Sequence, residues 1–418
     1  MRPGPLRPTR LLLLLLPTLV APAARGDGFP TFRAQEIDPR VGEVCYAVIL
    51  ADVDGDGKPD IVAAASDAVT WYRNPTWAKA DILRGRTERD NVCIQARDID
   101  GDGRVDFALG AGWRPTDTKE HGTLQVLTRT GATVGEPWRV VPLVSEPTLH
   151  RVRWGDVLGS TRPQLVVAPL QGRGTKGPAR GEGAGCRILV KSAPDDPFAA
   201  PWPTEVADDS LHTVHNLQVL DFDGDAEGRD EILLAAREGV FVLKRAADGK
   251  WSKLKIGEGS QDPKTTRGAS EVKLGKLPGG GRFLATIEPW HGNQLVYYFE
   301  EKPGRAPWTR VVVAEPIAWG HAVWMADLDG DGDDDVVVGQ RDPNKGGNEG
   351  PAKGPGVFAF ESVQGASNRA VRRHAIDDGG IATEDLVAGD LDGDGRPEVV
   401  AGGRASHNLK IYWNVPIR

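Results

Sequence analysis

The chain has 418 residues, of which 52 are Gly and 31 are Pro, so long helices and coiled coils are excluded as its organising element. Hydrophobic residues make up 39%, and 51 basic residues stand against 59 acidic ones, a composition that can bury a large core instead of remaining disordered. The net charge of −8 offers no basic footprint for nucleic acid.

At the N-terminus, Arg2, Arg7 and Arg10 precede an apolar run from Leu11 to Val20 and then Ala21-Pro22-Ala23. A basic start, a short apolar stretch and small residues at its end predict a secretory signal peptide over 1–23. The run is too short to span a bilayer, and no transmembrane segment is expected. The mature chain is therefore expected to be secreted or periplasmic and to fold as a single unit over 24–418. Cys45, Cys93 and Cys186 form no framework of paired spacings. A Cys45–Cys93 bond is left open, and Cys186 reads as a free thiol.

Beyond the leader, one motif recurs. Asp52-Val-Asp54-Gly-Asp56-Gly-Lys-Pro-Asp60 returns as Asp98, Asp100, Asp102 and Asp106, as Asp327, Asp329, Asp331 and Asp335, and as Asp390, Asp392, Asp394 and Glu398. A lengthened copy runs Asp221, Asp223, Asp225 to Asp230, and eroded copies begin at Asp156 and near Lys276. Each of the seven units places one β-rich run before the loop and three after it, as in Tyr46-Ala-Val-Ile-Leu, Asp60-Ile-Val-Ala-Ala and Val69-Thr-Trp-Tyr. Four antiparallel strands per unit predict an all-β, seven-bladed β-propeller. The seventh unit stops after its third strand, Leu409-Lys-Ile-Tyr-Trp, while Phe32-Arg-Ala-Gln-Glu-Ile lacks a blade of its own. The N-terminal strand is expected to complete the last blade and remove the open sheet edge.

Four carboxylates with interleaved glycines make oxygen-only loops that suit Ca²⁺ rather than zinc. An EF-hand would need Glu at the twelfth loop position, where the chain has Ala63, Leu109 and Val338. Up to five structural calcium sites are expected, in the inner hairpins.

Six residues before each loop, at the start of the innermost strand, stand Tyr46, Val92, His150, His215, Ser270, His321 and Glu384. Inner strands line a propeller's channel, so three imidazoles and a carboxylate are expected to converge at the mouth opposite the acidic loops. His150, His215, His321, Glu384 and Arg341 are the candidate catalytic residues. The second strands return to that mouth with Trp113, Arg173, Arg237, Trp290, His291, Arg404 and His407, the candidate substrate-binding residues. Such a site could hold a transition metal such as Zn²⁺, or a histidine general base.

The Asp-rich units resemble the FG-GAP (VCBS-type) repeats of integrin-α-like propellers, a resemblance that implies calcium loops stapling each blade's inner hairpin. Leu149-His150-Arg-Val-Arg-Trp154-Gly-Asp, Glu288-Pro-Trp-His291-Gly-Asn and Trp319-Gly-His321-Ala-Val-Trp resemble the propeller of the aldos-2-ulose dehydratases, without the cupin region that follows it in that family. That resemblance implies a carbohydrate substrate and loss of water from a keto-sugar. A metal or Arg would polarise the carbonyl, and His150 or His215 would remove the neighbouring proton. The sequence leaves open a non-catalytic glycan- or protein-binding propeller and a purely structural module.

Overall fold

The computed structural model describes residues 28–129, 131, 137–160, 162–176, 181–199, 201–225, 228–342, 354–362 and 370–416; the expected leader lies outside them. Seven four-stranded antiparallel sheets make up the molecule. The first blade runs Cys45–Ala51, Asp60–Ala65, Ala68–Arg73 and Ala78–Arg84 from the channel outwards, and the next five repeat this order. The one helical element among the described residues is the 3₁₀ turn Pro278–Gly280.

The last blade is built from both ends of the chain. Thr31–Asp38 is its outermost strand and pairs with Leu409–Val415, so the expected closure holds. Two side chains reinforce the seam between the seventh and first blades. Asn74 Nδ2 donates to Leu391 O at 2.7 Å, and the Val48 amide donates to Asp385 Oδ2 at 3.0 Å. With both termini in one sheet, the ring cannot open without breaking a four-stranded ladder.

The second strands are buried at every residue but Arg282, as in Asp60–Ala65 and Asp335–Gln340, because each sheet is covered on both faces by its neighbours. Val62 and Trp71 of the first blade thus share a core with Ile94 and Phe107 of the second. All three cysteines are buried free thiols, so the Cys45–Cys93 bond is not formed. Burial pushes the Cys93 thiol up to about 11.

The inner strands carry one departure from simple alternation. Pairing with the second strand slips at Tyr46, His150, His321 and Glu384. A β-bulge at that residue lets it and its successor both face the channel, where strict alternation would send one of them into the blade.

Candidate functional site

The acidic loops sit at the far end of the inner strands from the histidines. In the first blade the Asp52 carboxylate accepts from the amides of Gly55 at 2.8 Å and Gly57 at 2.9 Å. Both glycines have positive φ, 77° and 84°, which the wrap of backbone round the carboxylate requires. Asp60 closes the loop by accepting from the Val53 amide at 3.0 Å. The loops opened by Asp98, Asp327 and Asp390 are built in the same way. In the third blade the closing acid is replaced by an amide, with Gln164 Oε1 accepting from the Leu158 amide at 2.9 Å.

These four loops fit a hard divalent cation. One carboxylate oxygen from each of Asp327, Asp329 and Asp331 falls within 4.8 Å of the others, as for Asp52, Asp54 and Asp56 and for Asp98, Asp100 and Asp106. Burial and the neighbouring carboxylates push Asp335 up to about 9 and Asp333 up to about 7. Asp333 Oδ2 is buried without a hydrogen-bond donor. Like charges packed this tightly call for a counter-charge.

The lengthened loop differs in two ways. Its closing acid is Glu231, which accepts from the Phe222 amide at 2.9 Å, and not Asp230 as expected. Asp230 instead accepts from the Asp156 amide of the third blade. Two extra residues, not one, lie between the first acid and the closing one, which the motif's spacing alone misplaced. The cation's place is also filled from within the chain. Lys244 Nζ lies 2.5 Å from Asp223 Oδ2 and 3.6 Å from Glu231 Oε1 and contacts Asp225. Asp221, Asp223 and Glu231 still bring one carboxylate oxygen each within 4.8 Å of one another, so a cation would enter this loop by displacing Lys244.

At the opposite mouth, a cavity of about 200 Å³ is lined by His150, His215, His291 and His321 with Arg341, Glu384 and Arg404. Trp113, Trp290 and Trp319 form part of its wall. All five expected catalytic residues therefore meet, as do Trp113, Trp290, His291 and Arg404 of the expected binding set. Arg173, Arg237 and His407 do not line it. Arg173 pairs with Glu146 at 2.9 Å, Arg237 reaches towards Thr266 O, and His407 Nδ1 is 2.6 Å from Glu43 O. Their distance from the second strand's end had suggested the mouth, but turns of unequal length carry them outwards.

Backbone carbonyls set the histidine tautomers. His150 Nδ1 lies 2.8 Å from His215 O, His215 Nδ1 3.1 Å from Ser270 O, and His321 Nδ1 2.6 Å from Glu384 O. Each inner-strand histidine thus donates to the equivalent residue of the next blade, leaving Nε2 as its lone-pair nitrogen. Glu271 Oε1, 2.9 Å from His215 Nδ1, adds a carboxylate behind that ring. Burial first, then neighbouring cationic groups, hold His150, His291 and His321 well below the ordinary histidine value. Neutral imidazoles are the ligating form.

The set that converges is His215, His291 and His321, with one ring nitrogen of each within 4.8 Å of the others. His150 is excluded from it because Arg151 Nη1 sits 3.1 Å from its Nε2. His291, expected only to bind substrate, replaces it from the turn that follows the second strand Arg282–Glu288. Its Nδ1 is buried without a hydrogen-bond partner. Three nitrogen donors beside a carboxylate fit a transition metal such as Zn²⁺.

Around this cluster, Glu384 Oε1 accepts from Arg404 at 2.6 Å. Its Oε2 accepts no hydrogen bond, and Arg341 stands off at 3.7 Å. Trp290 stacks on His291 at 4.1 Å, and Trp113 leans on His150 at 4.7 Å. Trp319, absent from the expected set, carries the Arg341 guanidinium 4.3 Å over its ring and is 37% exposed. His291 and Trp319 both hold left-handed backbone, φ 49° and 50°, which non-glycine residues adopt at a cost. Proximity to His321 in sequence was the one signal for Trp319.

Fold and site together define a seven-bladed β-propeller of FG-GAP-like units with a histidine-lined channel mouth. Residues 121–301 match the family described as aldos-2-ulose dehydratase, β-propeller domain, and residues 52–109 match an FG-GAP-like repeat. The aldos-2-ulose dehydratase of Phanerodontia chrysosporium is 28% identical over 222 residues, 48% of this chain and 24% of that relative. The aligned stretch thus spans about a quarter of the relative's length. Among solved structures, an Agrocybe aegerita lectin described for recognition of non-reducing terminal N-acetylglucosamine matches with TM-score 0.51 and 16% identity, over 89% of this chain and 85% of its own. Virginiamycin B lyase from Staphylococcus aureus matches with TM-score 0.55 and 11% identity, over 92% of this chain and 100% of its own. Both share the fold. No helix among the described residues is long and apolar enough to cross a membrane.

Proposed function

We propose that the protein is an exported, calcium-stabilised propeller that removes water from a keto-sugar or a related saccharide at its histidine-lined mouth. The observation that carries this reading is the convergence of His215, His291 and His321 beside Arg341, Glu384 and Arg404 in one cavity. The similarity to aldos-2-ulose dehydratase supports it; the matched residues 121–301 include His215 and His291.

His215, His291 and His321 would hold a divalent transition metal, which when bound supplies Lewis-acid polarisation of a substrate oxygen. The remaining chemistry belongs to the chain. Arg341 and Arg404 present N–H donors to the carbonyl and hydroxyl oxygens of the sugar. Glu384 Oε2 is the base with an open lone pair, in preference to His150, whose Nε2 faces Arg151. It takes the proton from the carbon beside the carbonyl. The electron pair left behind forms the C=C bond, and the hydroxyl one carbon further leaves as water, taking back the proton that Glu384 removed. Trp319 offers the exposed ring face on which a sugar would stack.

Calcium in the loops opened by Asp52, Asp98, Asp327 and Asp390 would brace the inner hairpins, the histidines standing at the other end of the inner strands. Incubating metal-replete protein with keto-sugars tests the lyase reading. Enone absorbance that depends on Glu384 is the expected result, and its absence with a full metal site would defeat the reading. Tight saccharide binding without turnover would instead favour a glycan-binding propeller, for which the exposed Trp319 speaks.

A further inference from the structure

Below the histidine mouth, the channel widens into a second cavity of about 410 Å³. Arg151 and Arg153 face it from the third blade, Glu271 and Lys273 from the fifth, and Asp385 from the seventh. It reaches Leu50, Ala96 and Ala388, two residues before their acidic loops, so it extends to the opposite end of the channel.

The charges in this chamber are unevenly committed. Glu271 Oε2 accepts from Asn216 at 2.6 Å, and its other oxygen lies beside His215. Asp385 Oδ2 accepts from the Val48 amide. Lys273 is 6% exposed, and among the described residues it forms no ion pair; its ammonium lies 4.8 Å over the Trp324 ring. Arg151 and Arg153 bond to His150, the Asn216 amide oxygen and backbone carbonyls, and neither pairs with a carboxylate among the described residues. Three cations thus look into one open volume with no counter-ion in contact. A buried charge without a partner is costly, and guanidinium and ammonium groups together are the usual seat of an oxyanion.

We propose that this chamber binds a small oxyanion, a carboxylate or a sulfate-type group, between the Lys273 ammonium and the guanidiniums of Arg151 and Arg153. The site is distinct from the histidine cluster and does not depend on it, although Arg151 touches both. Its occupant is either a free anion or the carboxylate of an acid sugar entering the channel. A cation–π pair at the floor provides the reporter, since an anion drawn to Lys273 changes the surroundings of Trp324.

Sulfate is the probe, because it stays a dianion over the whole working pH range. Titration at constant ionic strength, followed by tryptophan fluorescence and calorimetry, is expected to show saturable binding. Lys273→Met should weaken it at least ten-fold, whereas Lys273→Arg, which keeps the charge, should retain it. His321→Ala, which removes a histidine of the mouth, should leave sulfate binding intact. A failure of the lyase reading is thereby kept apart from a failure of this one. Galacturonate that displaces sulfate supports a seat for an acid sugar; sulfate binding that galacturonate does not displace supports a seat for a free oxyanion. Non-saturable binding, equal affinity in a folded Lys273→Met chain, or loss in His321→Ala would overturn the proposal.

Discussion

His291 Nε2 lies 2.7 Å from His215 Nε2, so ring nitrogens from the turn after the fifth blade's second strand and from the start of the fourth blade's inner strand share one place. His215 Nδ1 points at Ser270 O, so without a metal the shared proton rides on His291. A divalent ion would replace that proton and draw both lone pairs and His321 to itself.

Purified protein is therefore expected to contain one transition metal per chain by elemental analysis. His291→Ala or His321→Ala should cut its content at least ten-fold, while His150→Gln, outside the set, should keep it. Unchanged metal in His291→Ala would rule the cluster out as its holder.

Calcium should bind at four sites and not five, because Lys244 occupies the loop opened by Asp221. EGTA should lower the melting temperature, since a ligand held only by the native state stabilises it. Asp327→Asn should remove one calcium. Lys244→Met frees Asp223 and Glu231 and should either admit a fifth ion or lower the melting temperature. A ratio of five in the unaltered chain would show that the lysine yields its place.

Acid should destabilise the protein through the buried imidazoles. Their folded pKa values are lowered, so the unfolded chain binds more protons as pH falls below its value of about 6.5. The stability they contribute is present above about 6.5 and is lost as pH falls from there towards their depressed folded values. The cost is at most about 1.4 kcal/mol per pH unit for each histidine. Melting curves between pH 7.5 and 5.5 in saturating calcium should show the slope, and His150→Gln should flatten it. A flat profile in the unaltered chain would contradict the burial of neutral histidines.

If the mouth is catalytic, Glu384→Gln should lower kcat by about 10² to 10⁴ with the metal retained. Trp319→Ala should act mainly on KM, raising it about ten-fold, because stacking is felt by substrate before reaction. The same fall in kcat from both changes would mean that the mouth is merely disturbed as a whole.

Much of the architecture was legible because it is local and repeated. The Asp-Gly loops, the runs such as Asp335-Val-Val-Val-Gly, and the missing fourth strand after Leu409-Lys-Ile-Tyr-Trp gave seven blades and the partner for Phe32. The register of Tyr46, His150, His215, His321 and Glu384 also read correctly as one ring. The role of His291 and the loss of Arg173, Arg237 and His407 did not. They follow strands of fixed length into turns whose paths no period describes. Glu231 was displaced by the same cause, two extra residues in a loop that the motif counts as rigid.

The sequence by itself determined the blades, the closing strand and four of the acidic loops, since each rests on local spacing or on a repeated unit. Only the tertiary structure decided which imidazoles meet, that Arg151 caps His150, and that Lys244 stands in for a cation. The imidazoles come from three successive blades, Lys244 reaches its loop from the third strand of the same blade, and the Arg151 contact with its sequence neighbour exists only because both face the channel. Their distances are set by ring closure and by the bulges at the start of four of the inner strands. Neither quantity leaves a period in the chain, because a bulge adds one residue without altering the alternation on either side of it.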